Sequence, residues 1–292
     1  MKLIFLGTAA GRPTRTRNLP SIALKYNGEI ILFDCGEGTQ RQMLSLVSPS
    51  KIEKIFISHF HGDHYLGLGG LLQTMSLNKR VKPLSIYGPQ NATTYLKNYF
   101  SSGHFGIRFS IHVYEMGEDV MEEEKYYIRS FPVDHGVPTI GFVFEEKEKR
   151  GHFLEEKAKS LGVKGRLFSK IEREGSIKIN GKRITLEDVT GPKRPGKKIV
   201  FSSDTIPCKR VVKEARNCDI LVHEGTYLTD EDRHGTYHTT VKEACELAVK
   251  AKARMLVLTH ISQRYEQEEV IQEAEQYFSP VVVAYDFLEI EI

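Results

Sequence analysis

The chain has 292 residues, of which 40% are hydrophobic and 27% charged, with a formal net charge of +3. These proportions match soluble globular proteins and allow a sizeable buried core. No apolar run approaches the roughly 20 residues a membrane-crossing helix needs, so a transmembrane helix is excluded.

Lys2–Thr8 is predicted as a strand entering a Gly/Pro/Arg loop at Gly11–Asn18. Its apolar stretch is too short for a signal peptide, so a cytoplasmic protein is expected. Ser21–Tyr26 and Glu29–Phe33 flank Asn27-Gly28, a two-residue hairpin signal. Asp34 ends the second strand, and Gly36–Gln42 opens a helix that continues toward Leu46. Lys54–Ser58 reads as a strand, His59–His64 as a loop, Leu66–Leu77 as a helix, Leu84–Tyr87 as a strand and Gln90–Phe100 as a helix. Phe109–Tyr114, Tyr126–Pro132 and Ile140–Glu145 are further predicted strands, with His135 in the loop before the last. Beyond residue 198 the pattern gives strands at Lys198–Ser203, Ile220–His223, Met255–Thr259, Val281–Ala284 and Phe287–Ile290. Helices are predicted over Cys208–Arg216, Thr240–Lys252 and Glu266–Tyr277. This alternation implies an α/β fold, a sheet core covered by helices, with polar clusters just after strands where loops project side chains from a rigid frame.

Residues 147–198 break the pattern, with seven glycines, two prolines, and amphipathic pieces at Phe153–Leu161 and Ser176–Leu186. Sixteen Lys and Arg against seven Asp and Glu give this stretch +9, leaving −6 on the rest of the chain. It is read as an inserted basic arm on an otherwise single domain spanning 1–292. Cys35, Cys208, Cys218 and Cys245 show no C-x-x-C spacing and are expected to be reduced thiols rather than zinc ligands.

The run His59-Phe60-His61-Gly62-Asp63-His64 has the spacing H-x-H-x-D-H. In extended chain, residues two apart project to one side, so His59 and His61 can grip one ion. A turn at Gly62 into a helix would place Asp63 and His64 beside a second. Imidazole mixed with carboxylate suits a borderline metal such as zinc. Three other predicted strand ends offer His135, Asp204 and His260, completing a candidate donor set for two ions.

This motif with its later His, Asp and His resembles the metallo-β-lactamase superfamily, whose fold is an αββα sandwich. Phe33-Asp34-Cys35-Gly36-Glu37-Gly38-Thr39-Gln40, His223-Glu224-Gly225-Thr226 and His238-Thr239-Thr240 are similar to the ribonuclease Z family of tRNA 3′-processing endonucleases. That resemblance covers essentially the whole chain, including the inserted arm. It implies two Zn2+ per subunit, one on His59, His61, His135 and Asp204, the other on Asp63, His64, His260 and the shared Asp204. Asp34 would orient the ligands from behind, although a strand-end carboxylate can also cap the following helix.

The resemblance further implies hydrolysis of precursor tRNA on the 3′ side of the discriminator nucleotide, leaving a 3′-hydroxyl. Asp63 would receive or orient the proton of the attacking water. His238, held by Glu224, would protonate the leaving oxygen. His223 reads equally as a core histidine. The family carries His-Glu-Ala-Thr and His-Ser-Thr where this chain has Gly225 and Thr239. Pro13–Asn18 resembles the family's P-x-K-x-R-N loop near the discriminator and CCA end, which makes Arg15, Arg17 and Asn18 candidate substrate contacts, with Arg15 where Lys is usual. Gly191-Pro192 resembles the Gly-Pro element of the arm that grips tRNA. A homodimer is expected. Two alternatives stay open, a hydrolase of a small ester, thioester or cyclic phosphodiester, and a non-catalytic RNA-binding member.

Overall fold

The computed structural model describes every residue except Ser45, Val47 and His234. The chain forms two compact units, residues 1–144 with 197–292, and residues 145–196.

The first unit opens with β1 (Lys2–Gly7), β2 (Ser21–Tyr26) and β3 (Glu29–Phe33), paired antiparallel. Asn27 and Gly28 turn the β2–β3 hairpin with φ of 46° and 89°, the left-handed pair a type I′ turn requires. Then come α1 (Thr39–Met43), β4 (Ile52–Phe56), α2 (Gly62–Tyr65), α3 (Leu68–Leu77), β5 (Leu84–Gly88), α4 (Ala92–Ser101) and β6 (Ile111–Glu115). From β3 to β6 the strands run parallel. Strands β7 (Val120–Glu122), β8 (Tyr126–Asp134) and β9 (Pro138–Glu146) begin a second sheet.

The second unit carries α5 (Glu155–Ser160), α6 (Arg166–Glu174) and a hairpin of β10 (Ser176–Ile179) and β11 (Lys182–Thr185). The Phe153–Leu161 piece is thus largely helix and Ser176–Leu186 largely hairpin, turned at Asn180-Gly181 with φ of 50° and 81°. They share a small core of Ala158, Val163, Ile171, Ile177, Ile184 and Val189.

Back in the first unit follow β12 (Lys198–Phe201), α7 (Lys209–Glu214), β13 (Ile220–Glu224), α8 (Asp230–Arg233), α9 (Val241–Ala251), β14 (Leu256–Thr259), α10 (Gln267–Glu275), β15 (Val281–Val283) and β16 (Glu289–Glu291). Among the described residues the two seven-stranded sheets have the orders β16-β1-β2-β3-β4-β5-β6 and β15-β14-β13-β12-β9-β8-β7.

Interior strands such as β1, β3, β12 and β13 are apolar on both faces because both faces are covered. Leu3 and Phe5 of β1 join the core between the sheets, whereas Ile4 and Leu6 face α1 and α3 on the outside. Between the sheets Phe33 stacks on Phe201 at 4.0 Å, and Phe142 lies 5.4 Å from Phe56. Outside the second sheet, Leu221, Leu256 and Leu258 pack with Val211, Ala244, Ala248 and Val270 of α7, α9 and α10. The result is an αββα sandwich of the metallo-β-lactamase type. Thr240 caps α9 in a reciprocal capping box with Glu243, satisfying two otherwise orphaned donors.

Several element boundaries differ from expectation for local reasons. The helix expected over Leu66–Leu77 starts earlier and breaks into α2 and α3 at Gly67, where a Cβ would lie 2.0 Å from the Gly36 carbonyl oxygen. The helix expected to continue toward Leu46 is α1, ending at Met43, and Ser45 lies outside the described residues. The last strand begins at Glu289 rather than Phe287, which adopts φ of 71° and cannot extend. Strand β7, Val-Met-Glu, and helix α8, all charged, are too short to carry a periodic signal. All four cysteines are free thiols.

Candidate metal centre

Four strands end on a single left-handed or glycine step, and each step aims a polar side chain at one edge of the sandwich. After β3, Asp34 has φ of 58°; beyond β12, Ser203 has 60°, just before Asp204; beyond β14, His260 has 55°; and Gly136, at 76°, turns the chain beside His135. Such conformations cost non-glycine residues about 1–3 kcal/mol each and persist where surrounding structure demands them. His59 and His61 follow β4 in extended chain, and α2 begins at Gly62, carrying Asp63 and His64.

These side chains meet. His59 Nε2 lies 3.0 Å and His135 Nε2 3.1 Å from His61 Nδ1. The Asp204 Oδ2 atom is 3.2 Å from His64 Nε2, 3.1 Å from His260 Nε2, 3.9 Å from His59 Nε2 and 3.8 Å from His135 Nε2. Asp63 Oδ2 sits 3.5 Å from both His64 Nε2 and His260 Nε2. Asp204 therefore lies between a His59, His61, His135 group and an Asp63, His64, His260 group.

The opposite ring nitrogens are pinned. Asp34 accepts from His64 Nδ1 at 2.8 Å, and from the Ser58 backbone and hydroxyl at 2.7 and 2.9 Å. His59 Nδ1 pairs with Ser58 Oγ at 2.9 Å, His135 Nδ1 donates to the Tyr237 carbonyl at 2.7 Å, and His260 Nδ1 pairs with Thr226 Oγ1 at 2.8 Å. Holding one nitrogen this way fixes the ring and leaves the other for a metal. Asp34 thus orients His64, with no side-chain cap bond at α1. The Nε2 atoms of His64 and His260 are buried without a hydrogen bond among the described residues.

A cation resolves this arrangement. Unprotonated ring nitrogens facing one another at about 3 Å repel unless something positive lies between them, and ligands on one tetrahedral zinc sit about 3.3 Å apart. Burial, with neighbouring imidazoles, holds the pKa of His59 far below its ordinary value, and burial also lowers His61. Both are therefore neutral and able to bind metal. Burial acts to raise Asp204 and Asp63, but the imidazoles around them prevail and keep both carboxylates ionised. The residues present fit a pair of divalent cations.

Beside this array, Glu224 receives hydrogen bonds from His238 Nδ1 at 3.0 Å, the Thr205 and Thr239 backbone at 2.7 and 3.1 Å, and the Thr226 hydroxyl at 2.5 Å. Burial alone would lower the pKa of His238; the charge and hydrogen bond of Glu224 outweigh it and lift it to about 9. Nearby cations push the other way. His238 stacks 5.2 Å from His260 and opens onto a cleft shared with His61, Asp63, Asp204 and Tyr227. His223 is fully buried and donates through Nδ1 to the Glu224 carbonyl, a core histidine outside the donor set.

The loop at Pro13–Asn18 divides by orientation. Arg15 is exposed, but Arg17, expected to touch substrate, is buried and donates to Thr8 Oγ1 at 2.8 Å and the Ala284 carbonyl at 2.5 Å. That expectation is corrected: Arg17 braces the loop from inside. Asn18 donates through its side chain to the Glu37 carbonyl and through its backbone to Asp286. In the second unit Gly191 donates to the His152 carbonyl at 2.8 Å, with Pro192 exposed next to it. Sequence reasoning misses Ser58 and Thr226. Both lie within or beside the ligand and His-Glu-Gly-Thr motifs, but a hydroxyl gives no signal of which ring nitrogen it will meet.

Two family models match the chain, the anti-Pycsar protein Apyc1 over residues 1–135 and the beta-lactamase superfamily domain over residues 188–261. Ribonuclease Z of Thermococcus onnurineus (strain NA1) is 52% identical over 290 residues, covering 98% of this chain and 93% of its own. Ribonuclease Z of Pyrococcus horikoshii is 50% identical over 295 residues, covering 100% and 96%. The crystal structure of the short form of human tRNase Z superposes with a TM-score of 0.71 at 29% identity, covering 100% of this chain and 99% of that one. Identity of this order, over nearly the full length, spans the strand ends that carry the candidate ligands, the Glu224–His238 pair and the basic segment, and it makes this chain a member of the ribonuclease Z family, hydrolytic endoribonucleases of the metallo-β-lactamase superfamily.

Proposed function

We propose that this protein is a zinc-dependent endoribonuclease that cuts precursor tRNA on the 3′ side of the discriminator nucleotide, releases the 3′ trailer and leaves a tRNA 3′-hydroxyl. The observation that carries this reading is the convergence of seven candidate ligand side chains, four of which, His61, Asp63, Asp204 and His260, line an open cleft together with the carboxylate-held His238. His59, His61 and His135 would hold one zinc and Asp63, His64 and His260 the other, with Asp204 shared. When bound, the two ions supply a water of lowered pKa and positive charge to balance the oxygens of an in-line phosphoryl displacement.

The remaining steps belong to the chain itself. Asp63, ionised and also accepting from the Gly11 backbone at 3.1 Å, orients the attacking water and takes its proton. The water oxygen bonds to phosphorus, the bond from phosphorus to the ribose 3′-oxygen breaks, and His238 gives that oxygen a proton. Its Nδ1 is committed to Glu224, so Nε2 is the donating atom. Glu224 in turn stabilises the charged ring that precedes transfer.

The +9 stretch at 147–198, with Gly191 and Pro192, binds tRNA phosphates in this reading. Exposed Arg15 serves the discriminator, with Arg17 and Asn18 holding its loop. The protein works as a homodimer in the cytoplasm; no described helix is long and apolar enough to cross a membrane. Mapping the cut on a trailer-bearing precursor tRNA tests the proposal. One cut after the discriminator is expected, lost with a chelator and restored by zinc. An uncut precursor alongside rapid hydrolysis of a small ester or cyclic phosphodiester would favour the small-substrate reading.

A further inference from the structure

A second recess borders the catalytic cleft and shares His61 with it. Besides His61 it is lined by Phe60, Tyr65 and Tyr95, by Val137 and Pro138, and by Gln90. Phe60 lies 5.0 Å from Tyr95 and 5.2 Å from Tyr65. Behind them Tyr65 packs 5.5 Å from Tyr99, whose hydroxyl donates to the Leu66 carbonyl at 2.7 Å. The rings are therefore braced from the protein side, while Tyr95 remains 44% exposed and Val137 38% exposed. Nothing in the hydrolytic chemistry requires aromatic side chains here.

We propose that this recess is a stacking subsite for a nucleobase of single-stranded RNA, the first base of the trailer; this rests on the precursor-tRNA reading above. Planar aromatic walls accept any base through its π face, and a braced ring loses little freedom on binding. Placement on the trailer side follows from the two ends of the ligand array. The loop assigned to the discriminator joins it at Asp63, through Gly11, whereas the recess joins it at His61. A strand laid across the cleft with its discriminator toward the loop delivers the next nucleotide to Phe60 and Tyr95. The Gln90 amide can hydrogen-bond a base edge there.

The test uses the full-length protein and precursor tRNAs whose first trailer nucleotide, or whose discriminator, carries adenine or is abasic. In the wild type, removing the first trailer base is expected to lower kcat/KM about tenfold, the scale of one base–aromatic stack. In Tyr95→Ala that ratio should fall to near one, and in Tyr95→Phe it should return, while the penalty for an abasic discriminator stays unchanged in both. Taking each ratio within one variant cancels any general loss from misfolding. A native trailer ratio in Tyr95→Ala overturns the subsite, as does loss of the discriminator penalty instead, which would put the recess on the mature side. A wild type that leaves every precursor uncut overturns the reading beneath it.

Discussion

In the proposed reaction His238 separates chemistry from metal binding at the level of one residue. Its Nδ1 is bound to Glu224, and the seven candidate ligands already form three metal-capable groups without it. His238→Ala is expected to lower kcat for precursor tRNA by about 10²–10⁴-fold, the usual worth of a general acid, while metal analysis still finds both ions. A near-native rate in that variant would remove the proton-donor role. The same scale shows what can be read from sequence. The seven candidate ligands are legible because His and Asp in H-x-H-x-D-H spacing, and alone after apolar strands, suit a metal better than they suit a core or a solvated face. Arg17 is misassigned because the loop pattern says which residues are cationic, not which way they face; Thr8 and the Ala284 carbonyl draw this one inward.

Strand ends, with the short helix α2 that carries Asp63 and His64, fix the site. The His59–His64 run follows β4, His135 follows β8, Asp204 follows β12 and His260 follows β14, so their positions depend on how the sheets pack. Phe142 of β9, 1% exposed, is wedged 5.4 Å from Phe56 and 5.6 Å from Phe33, the residues ending β4 and β3 just before the ligand-bearing turns. Phe142→Ala should cost about 3–5 kcal/mol of unfolding free energy, measured by urea titration at fixed zinc because bound metal adds its own stabilisation. A loss below about 1 kcal/mol would mean the sheets are not held by this contact. The alternation of strand and helix is legible because the apolar runs are continuous and bounded by Gly, Pro and Asn. The left-handed steps at Asp34, Ser203 and His260 are not, since no composition rule marks a non-glycine residue forced to positive φ by its neighbours.

For the molecule as a whole, charge and core are divided unequally. The basic stretch is a folded unit with a core of its own, which is hard to see in the sequence because residues such as Val163, Ile171 and Ile184 are scattered among lysines and arginines without a clean period. Lys149 and Arg194 face each other across an antiparallel bridge, so excising 150–195 leaves ends that can be joined. That deletion is expected to abolish precursor-tRNA cleavage and to spare hydrolysis of a small phosphodiester, both followed under one buffer of moderate salt because phosphate contacts weaken steeply as salt rises. Equal loss of both activities would assign the unit a folding role instead. Beneath all of this lies the claim that one array of imidazoles and carboxylates holds two cations that the reaction needs. Titrating metal-free protein with zinc while following precursor cleavage tests it most directly. Activity should climb to a plateau at two equivalents per chain, and full activity at one equivalent or none would contradict it.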